Sequence, residues 1–498
     1  MGLQMKTRTK PTAVVIGSGF GGLAAAIRLG ARGYRVTILE RHDQPGGRAR
    51  VFRDKGHVFD AGPTVITAPF LFEELWELAG EKMSDHVDLR PVTPFYRIRF
   101  HDGTVFDYTG DAAAMRREVE RLAPADCDGY ERFVAMSERI FDVGFKELAH
   151  VPFGSWLDMA RIVPEMMRLE SYRTVYGLAA KFVKDDRLRQ ILSFHPLLVG
   201  GNPFSTTSIY TLILYLERKW GVHFPIGGTG ALVSGLVDLV AKQGGDIRYH
   251  ATVDQIVVEG GRARGVRLDT GEVVPADIVV SNADSAFTYK SLLPPEHRKK
   301  WTDRRIDRAR YSMSLFVWYF GTDRTYPDVA HHTIMLGPRY EALLTDIFEK
   351  RVLAEDFSLY LHRPTATDPG LAPPGGETFY VLSPVPHLDA DVDWAERAEP
   401  YRRAIEAHLA ETLPPDLPRH VTASRLMTPQ HFHDELLSER GAAFGLEPVL
   451  TQSAYFRPHN ESEDVRGLYL VGAGTHPGAG VPGVLSSARV LDRIVPDA

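Results

Sequence analysis

The chain has 498 residues, of which 44% are hydrophobic and 24% are charged, a composition typical of globular proteins and unlike that of disordered chains. The formal net charge of −6 gives no reason to expect nucleic acid as a partner, and the single cysteine, Cys127, excludes an intramolecular disulfide. No apolar run approaches the roughly 20 residues of a spanning helix, so we expect a soluble or membrane-surface protein.

The first predicted elements form a βαβ unit. The apolar run 12–17 is typical of a buried strand, the segment 23–33 has the composition of a helix that ends at a glycine, and 34–40 predicts a second strand. Strands that are joined through a helix usually pair in parallel, so we expect a parallel sheet at the start of the chain.

A glycine fingerprint connects these elements. Gly17, Gly19 and Gly22 follow the first strand and open the helix, and Glu40 ends the second strand. The three glycines permit a tight turn, the approach of a pyrophosphate and close packing of the helix on the strand. The N–H groups at the start of the helix can bind phosphate, and Glu40 can accept a hydrogen bond from a ribose hydroxyl. The pattern predicts a dinucleotide site but does not separate NAD from FAD.

The residues that follow Glu40 favour FAD. Gly46, Gly47 and Arg48 place flexible backbone and a guanidinium directly after the acid, and an arginine can donate to two oxygens of a diphosphate. The segment 60–66 predicts a further tight turn, which could run beneath a flat ring system. A dissociable NAD would not obviously need this additional wrapping.

The remaining elements alternate between helical and strand-rich segments. Residues 94–108 predict a hairpin that turns at Asp102-Gly103, and the segment from about 111 to 220 is helical in character. A glycine turn and a helix follow over 224–247, and 249–284 is rich in strands. A last strand enters a second glycine loop within 467–488.

The motifs resemble one family, the bacterial-type phytoene desaturases, within the FAD-binding superfamily that includes amine oxidases and protoporphyrinogen oxidase. After the fingerprint, the stretches that carry the resemblance include QPGGRAR, SFHPLLVGGNPF, FPIGGTGALV and LYLVGAGTHPGAGVPGV. The resemblance implies an α/β fold, in which a discontinuous Rossmann-like FAD-binding domain carries an inserted mixed α+β domain for the substrate and the membrane. The FAD-binding domain would comprise 1–90, 225–295 and 420–498, and the inserted domain 91–224 and 296–419.

By the same resemblance, both ends of the chain bind one FAD without a covalent bond. The C-terminal glycine loop would lie along the ribityl chain and the flavin ring, and Val253 would contact the adenine through its backbone. Ala473-Gly474 stands where the wider superfamily often has Gly-Asp, so backbone N–H groups would replace a carboxylate there. The expected cofactor-binding residues are Gly17, Gly19, Gly22, Glu40, Arg41, Gly47, Arg48, Gly62, Pro63, Thr64, Val65, Val253, Gly472, Gly474, Gly480, Val481 and Pro482.

The family implies an activity: successive double bonds are introduced into phytoene, giving neurosporene or lycopene, with hydride transfer to flavin N5. Partly desaturated carotenoids would be further ligands, and quinone or oxygen would accept the electrons. We expect a cytoplasmic protein, peripheral on the inner face of the cell membrane. The alternatives are another carotenoid desaturase, a carotenoid isomerase or a retinol saturase of the same family, or a non-catalytic lipid escort protein on the same fold.

Two segments each admit two interpretations. The segment 156–183 mixes Met, Trp, Tyr and Leu with charges, which suits either an apolar tunnel or an ordinary helical core. The segment 296–310 carries many Lys and Arg, which suits either contact with anionic lipid or a solvated helix face.

The candidate catalytic bases and metal ligands are less specific. A structural role competes with catalysis for each of four candidate bases, which are His476, His195, Asp158 and Glu217. The histidines of 331–332 and 431–433 resemble metal ligands. Because neither pair has a third ligand at a useful spacing, we expect no metal.

Overall fold

The computed structural model describes residues 10–414 and 416–498. Its strands are distributed over most of this range. In chain order they are β1 (Thr12–Ile16), β2 (Arg35–Leu39), β3 (Val51–Asp54), β4 (His57–Asp60), β5 (Leu89–Pro91), β6 (Tyr96–Phe100), β7 (Val105–Tyr108), β8 (His223–Pro225), β9 (Asp246–Arg248), β10 (Val253–Glu259), β11 (Arg262–Leu268), β12 (Val273–Pro275), β13 (Ile278–Ser281), β14 (Ser314–Thr322), β15 (His332–Leu336), β16 (Leu359–His362), β17 (Glu377–Val385), β18 (Val421–Met427) and β19 (Leu468–Leu470).

The helices are densest between the hairpin β6–β7 and strand β8, where the sequence predicts a helical segment. In chain order they are α1 (Phe20–Ala31), α2 (Pro69–Leu78), α3 (Ala112–Leu122), α4 (Cys127–Phe141), α5 (Trp156–Arg168), α6 (Val175–Phe182), α7 (Asp186–Ser193), α8 (Leu212–Trp220), α9 (Thr229–Lys242), α10 (Ser285–Phe287), α11 (Asp303–Asp307), α12 (Tyr340–Thr345), α13 (Trp394–Thr412), α14 (Leu417–His420), α15 (Pro429–Asp434) and α16 (Val481–Ile494). Among them, no helix has both the length and the apolar character that crossing a membrane requires.

Strands from three distant parts of the chain form a five-stranded parallel sheet in the order β19-β13-β1-β2-β9. The central strand β1 is buried on both faces. Ala13 and Val15 pack against helices that include α1, α9 and α16, whereas Val14 and Ile16 pack towards the antiparallel sheet β10-β11-β12. The predicted βαβ start and the discontinuous Rossmann-like sheet are confirmed.

A second sheet has seven strands, in parallel and antiparallel pairs, in the order β18-β14-β17-β16-β15-β6-β7. The predicted hairpin is its edge, since β6 pairs antiparallel with β7. Every residue of β14 is buried. Phe316, Trp318 and Phe320 pack in a cluster with α13, and the alternate residues Leu315 and Val317 belong to the core on the opposite face.

One predicted domain boundary needs correction. Residues 421–427 were expected in the FAD-binding domain, but they form β18 and pair with β14, with Met427 opposite Val317. The position follows from strand pairing between distant segments, which the local sequence does not display. The segments expected for the FAD-binding domain otherwise supply all five strands of the parallel sheet.

Candidate functional site

One continuous cavity extends from the carboxyl ends of the parallel strands to the face of the seven-stranded sheet. Its first end is made by the turns that follow β1, β2, β13 and β19, the edge where open α/β sheets bind ligands. Its second end is lined by apolar side chains of the mixed sheet, including Leu315, Val317, Ile334, Leu336, Leu359 and Leu382. The cavity therefore joins a backbone-rich end to an apolar end.

The first glycine turn has the geometry that the fingerprint predicts. Gly17 has a φ of +88°, a conformation that favours glycine. A Cβ on Gly22 would overlap the carbonyl oxygen of Gly17, so glycine is required for the helix to pack on the turn. The N–H of Leu23 donates to Gly19 at 2.9 Å, which begins the helical bonding and leaves the preceding N–H groups of the first turn for a ligand.

Glu40 is buried at the cavity wall and is held by the same turn. One carboxylate oxygen accepts from the N–H of Ser18 at 2.9 Å and from its hydroxyl at 2.6 Å, and the other accepts from the N–H of His42 at 3.0 Å. Each carboxylate oxygen can accept more than one hydrogen bond. Glu40 therefore fixes the loop and can still receive a hydroxyl donor.

The second glycine pair packs against the first turn. The N–H of Gly46 donates to the carbonyl of Ser18 at 3.0 Å, and Gly46 forms a bridge with Gly19. Arg48 donates from one terminal nitrogen to Ser438 at 2.8 Å, and its buried Nε has no partner among the described residues. This unused donor at the cavity wall suits an anionic ligand such as a diphosphate.

The C-terminal loop closes the same end of the cavity, as expected, and α16 begins at Val481 behind it. Gly472, Gly480, Val481 and Pro482 line the cavity. Gly474 is not among the residues that line the cavity, and a Cβ there would overlap the hydroxyl of Ser285, so close packing requires glycine at this position. Its contact with the flavin stays a prediction.

Most of the other expected cofactor residues lie on the wall, and one residue was missed. Asn282, directly after the buried strand β13, lines the cavity, and its side chain lies where a Cβ on Gly19 or Gly472 would meet it. Its position at the end of a buried parallel strand was the signal that could have found it. The turns, the unpaired Arg48 donor and the wall together fit FAD, and contacts with it stay predictions for Arg41, Gly47, Gly62, Pro63, Thr64, Val65 and Val253, which also line the cavity.

Two of the four candidate bases form one buried hydrogen-bonded group. Glu217 lines the cavity, accepts from the hydroxyl of Tyr96 at 2.6 Å and lies 3.1 Å from Nε2 of His195. Glu217 and His195 are 0% and 1% exposed, respectively. His195 is stacked on Phe194 and does not line the cavity, so Glu217 is the member of the group that lies at the cavity wall.

The other two candidates have different positions. His476 lines the cavity, its Nε2 donates to the carbonyl of Leu148 at 3.1 Å, and its buried Nδ1 has no partner among the described residues. Burial lowers the pKa of His476 to about 4, so the ring is neutral near pH 7. Asp158 forms the capping box of α5 with Ser155 and lies outside the cavity lining, which removes it as a candidate base.

The segment 156–183 contributes to the cavity, as the tunnel interpretation expects. Met159, Ile162 and Met166 of α5 line it. The basic segment 296–310 instead binds its own chain: Arg298 pairs with Asp303, Lys300 with Glu463 at 2.8 Å, and Arg310 with Glu447 at 2.7 Å. The solvated-face interpretation therefore fits this segment better than lipid contact.

The structure overturns the spacing argument about metal ligands. His362 lies directly opposite His332 across the pair β15–β16, so a third histidine reaches the pair 331–332. In the other motif, His431 caps α15 through Thr428 and His433 bonds to Asp434. The expectation that no third ligand lies within reach of the first pair is wrong.

Comparison with known proteins agrees with this geometry. A family model described as flavin containing amine oxidoreductase matches residues 20–490. The phytoene desaturase (lycopene-forming) of Pseudescherichia vulneris is 51% identical over 477 residues, which cover 96% of this chain and 97% of that protein. The phytoene desaturase (neurosporene-forming) of Cereibacter sphaeroides is 49% identical over 491 residues, which cover 98% and 95%.

Solved structures share the fold at low sequence identity. Putrescine oxidase bound to putrescine is 14% identical, with a TM-score of 0.63 and coverage of 98% of this chain and 99% of that one. An oxidoreductase from Methanosarcina mazei is 18% identical, with a TM-score of 0.63 and coverage of 97% and 100%. At these identities the likeness concerns the fold alone.

Proposed function

Because this chain belongs to the flavin containing amine oxidoreductase family and, within it, to the phytoene desaturases, we propose that its cavity desaturates phytoene with FAD. The protein is an FAD-dependent oxidoreductase that acts on CH–CH groups in carotenoid biosynthesis, with neurosporene or lycopene as the product. The observation that carries this function is that one cavity joins the glycine-lined end to a long apolar end.

The chain's own residues bind and orient the two reactants. When bound, FAD supplies the acceptor for a hydride that leaves a CH₂ group of the substrate. The glycine turns and Arg48 would hold its diphosphate, and Gly472 and the 480–483 turn would lie along its other half. The apolar wall would hold the polyene extended and exclude water, which supplies rate through orientation.

Desaturation also releases a proton from the neighbouring carbon, and we assign its acceptance to Glu217. Glu217 lines the cavity, and its buried carboxylate is held by Tyr96 and His195 at 2.6 and 3.1 Å. His195 then acts as a positioning residue, since it reaches the cavity through Glu217. The unpaired Nδ1 of His476 is the second candidate, because it too lies at the wall.

We further propose that the outer side of α5 rests on a membrane. Trp156, Leu157 and Met167 are 61%, 65% and 58% exposed, which is unusual for large apolar side chains. The inner side of the same helix lines the cavity through Met159 and Met166. A helix that presents large apolar side chains both outward and to the cavity would let a lipid-dissolved substrate pass from the bilayer to the cavity without crossing water.

The electron acceptor and the location complete the proposal. A quinone in the bilayer or oxygen would re-oxidise the flavin, on the inner, cytoplasmic face of the cell membrane. A protein docked through α5 would have access to a membrane-dissolved quinone.

The assay that tests the function uses FAD-loaded protein and phytoene in liposomes, under anaerobic conditions, with quinone as the sole acceptor. We expect bleaching of the flavin absorbance before quinone is added, and more extended polyenes afterwards. The longest chromophore reports the number of double bonds inserted. If phytoene leaves the flavin oxidised although FAD is bound, the substrate assignment is wrong. Turnover in air but not with quinone would identify oxygen as the acceptor.

Membrane docking is tested by flotation of the protein with anionic liposomes. The double variant Trp156→Ser/Leu157→Ser should lose most of the lipid-bound fraction. Val273→Ser is the matched control, because Val273 is 54% exposed but lies on β12, in another part of the molecule. Equal flotation of all three proteins would show that α5 is not the docking surface.

A further inference from the structure

Three buried histidines meet on two neighbouring strands of the seven-stranded sheet. His331 precedes β15, His332 is its first residue, and His362 ends β16 directly opposite His332. Their exposed fractions are 5%, 0% and 0%. One ring nitrogen of each lies within 4.8 Å of the corresponding atoms of the other two. We refer to these three residues as the histidine cluster.

The hydrogen bonds of the cluster leave one side of each ring unused. Nδ1 of His331 lies 2.7 Å from the hydroxyl of Thr367, and Nδ1 of His332 lies 2.6 Å from the hydroxyl of Tyr360. Nε2 is buried without a hydrogen-bond partner in all three rings, as far as the described residues extend. A buried nitrogen without a hydrogen-bond partner destabilises the folded protein, so three in one place need an explanation.

In metal-binding histidines the two ring nitrogens also have different roles. One ring nitrogen binds the metal, while the other is held by a carboxylate, carbonyl, hydroxyl or water that fixes the ring. Thr367 and Tyr360 hold two of the three rings in this way. The third ring, His362, lies nearly parallel to His332 with 5.2 Å between the ring centres, and its Nδ1 lies 3.3 Å from Nδ1 of His332.

The charge state of the cluster also suits ligation. Burial lowers the pKa of His331 to about 3, and it lowers the pKa of His332 and His362 well below the usual value. The rings are therefore neutral near pH 7, the form that binds metals. The neighbouring guanidinium of Arg363 is neutralised by Glu377, whose two oxygens lie 2.8 and 3.0 Å away.

The spacing and the access are compatible with an ion. Zinc–nitrogen bonds of about 2.0–2.1 Å in a tetrahedral site separate the ligand nitrogens by about 3.3 Å. In the cluster, one ring nitrogen of each histidine lies within 4.8 Å of the other two, so small rotations of the rings would bring three nitrogens to that spacing. A polar surface pocket lined by His331, Arg363 and Thr367 gives a route from solvent to the cluster.

We propose that His331, His332 and His362 bind one transition-metal ion, with Zn²⁺ as the first choice. Neutral imidazole suits zinc and copper, whereas magnesium and calcium prefer oxygen ligands. The ion would link β15 to β16 beside Tyr360, whose hydroxyl also contacts Thr64 at the cavity wall at 3.3 Å. The proposal concerns a separate site and does not depend on the proposed flavin reaction.

The experiment measures metal content and thermal stability of FAD-loaded protein. The protein is incubated with ZnCl₂ and desalted, and zinc per chain is counted by mass spectrometry. We expect about one zinc per chain and a higher unfolding midpoint than in protein treated with a chelator. His332→Gln and His362→Gln should lose the zinc and the chelator-sensitive shift.

His57→Gln is the matched control. His57 is 2% exposed, and both of its ring nitrogens have partners, Thr378 at 3.0 Å and Thr422 at 3.3 Å. This variant removes a buried imidazole outside the cluster, so it should keep the zinc. FAD content identifies any variant that has lost its fold. If His332→Gln and His362→Gln do not fold, His331→Gln is used to test the zinc site instead, because His331 borders the surface pocket. The proposal is overturned if the native protein retains no zinc, or if the cluster variants retain as much as the control.

Discussion

The two ends of the cavity are built in different ways. At the dinucleotide end, backbone turns around Gly17, Gly46 and Gly472 form the wall, and each turn is specified by a short stretch of sequence. At the other end, side chains from distant elements meet, among them Glu217 of α8 and Leu315 and Ile334 of the mixed sheet. The comparison teaches that glycine motifs reveal a binding end by their local pattern, whereas the polar groups of the apolar end become visible only after folding.

The largest expected effect tests the apolar end. Glu217→Gln should lower kcat by about 10²–10⁴-fold, because a positioned base contributes that much to proton transfer. FAD binding should be unchanged. Turnover is measured by flavin reduction with phytoene in liposomes, with Glu447→Gln as the control.

Glu447 is also buried, at 2% exposed, and is paired with Arg310, but it does not line the cavity. Its variant should lose stability while keeping its turnover. Native-like turnover in Glu217→Gln would reject Glu217 as the base and leave His476 as the remaining candidate.

The next effect tests the dinucleotide end. Gly22→Ala should destabilise the protein by about 3 kcal/mol or more, because the added methyl group would meet backbone and not a flexible side chain. FAD content should fall with the unfolding midpoint. Gly154→Ala is the control, since a Cβ there meets no atom within 4 Å. If both variants bind FAD equally, the close packing of α1 on its turn is not required.

The next prediction concerns the buried His476, through which the stability of the protein should depend on pH. The pKa of His476 is lowered to about 4 in the folded protein and rises towards 6.5 on unfolding. The unfolded chain therefore binds more protons as the pH falls from 6.5 towards 4, and stability is lost over that window. At pH 5 the loss relative to pH 7 is on the order of 2 kcal/mol.

His476→Asn should flatten this part of the pH–stability curve, measured as the change in unfolding midpoint between pH 7 and pH 5. The exposed His101 serves as the control, and His101→Asn should leave the native slope. A native slope in His476→Asn would show that this ring is not the group that titrates.

The smallest effect concerns Asp158, which the sequence alone made a candidate base. Asp158→Ala should cost about 1 kcal/mol through loss of the capping box of α5 and should leave kcat unchanged. Thermal unfolding and turnover are measured on the same preparation. A large fall in kcat without a change in stability would return Asp158 to the catalytic candidates.

The sequence by itself determined the dinucleotide end. A turn such as Gly17–Gly22 is specified within a few residues, because its backbone conformation and its packing need glycine at fixed spacings. The central part of the parallel sheet was predictable for the same reason, since β1, β13 and β19 are apolar runs next to turns. The sequence also showed the apolar character of α5, but it left open whether this helix lines a tunnel or belongs to an ordinary helical core.

Only the tertiary structure decided which side chains meet. His362 lies opposite His332 because β15 pairs with β16, and Glu217 of α8 lies beside His195 through the packing of the helical segment. The packing of Gly474 on Ser285 and the place of Asp158 in the capping box of α5 were likewise visible only in the structure. Strand register and helix packing arise from interactions over the whole chain, so a local pattern cannot specify them.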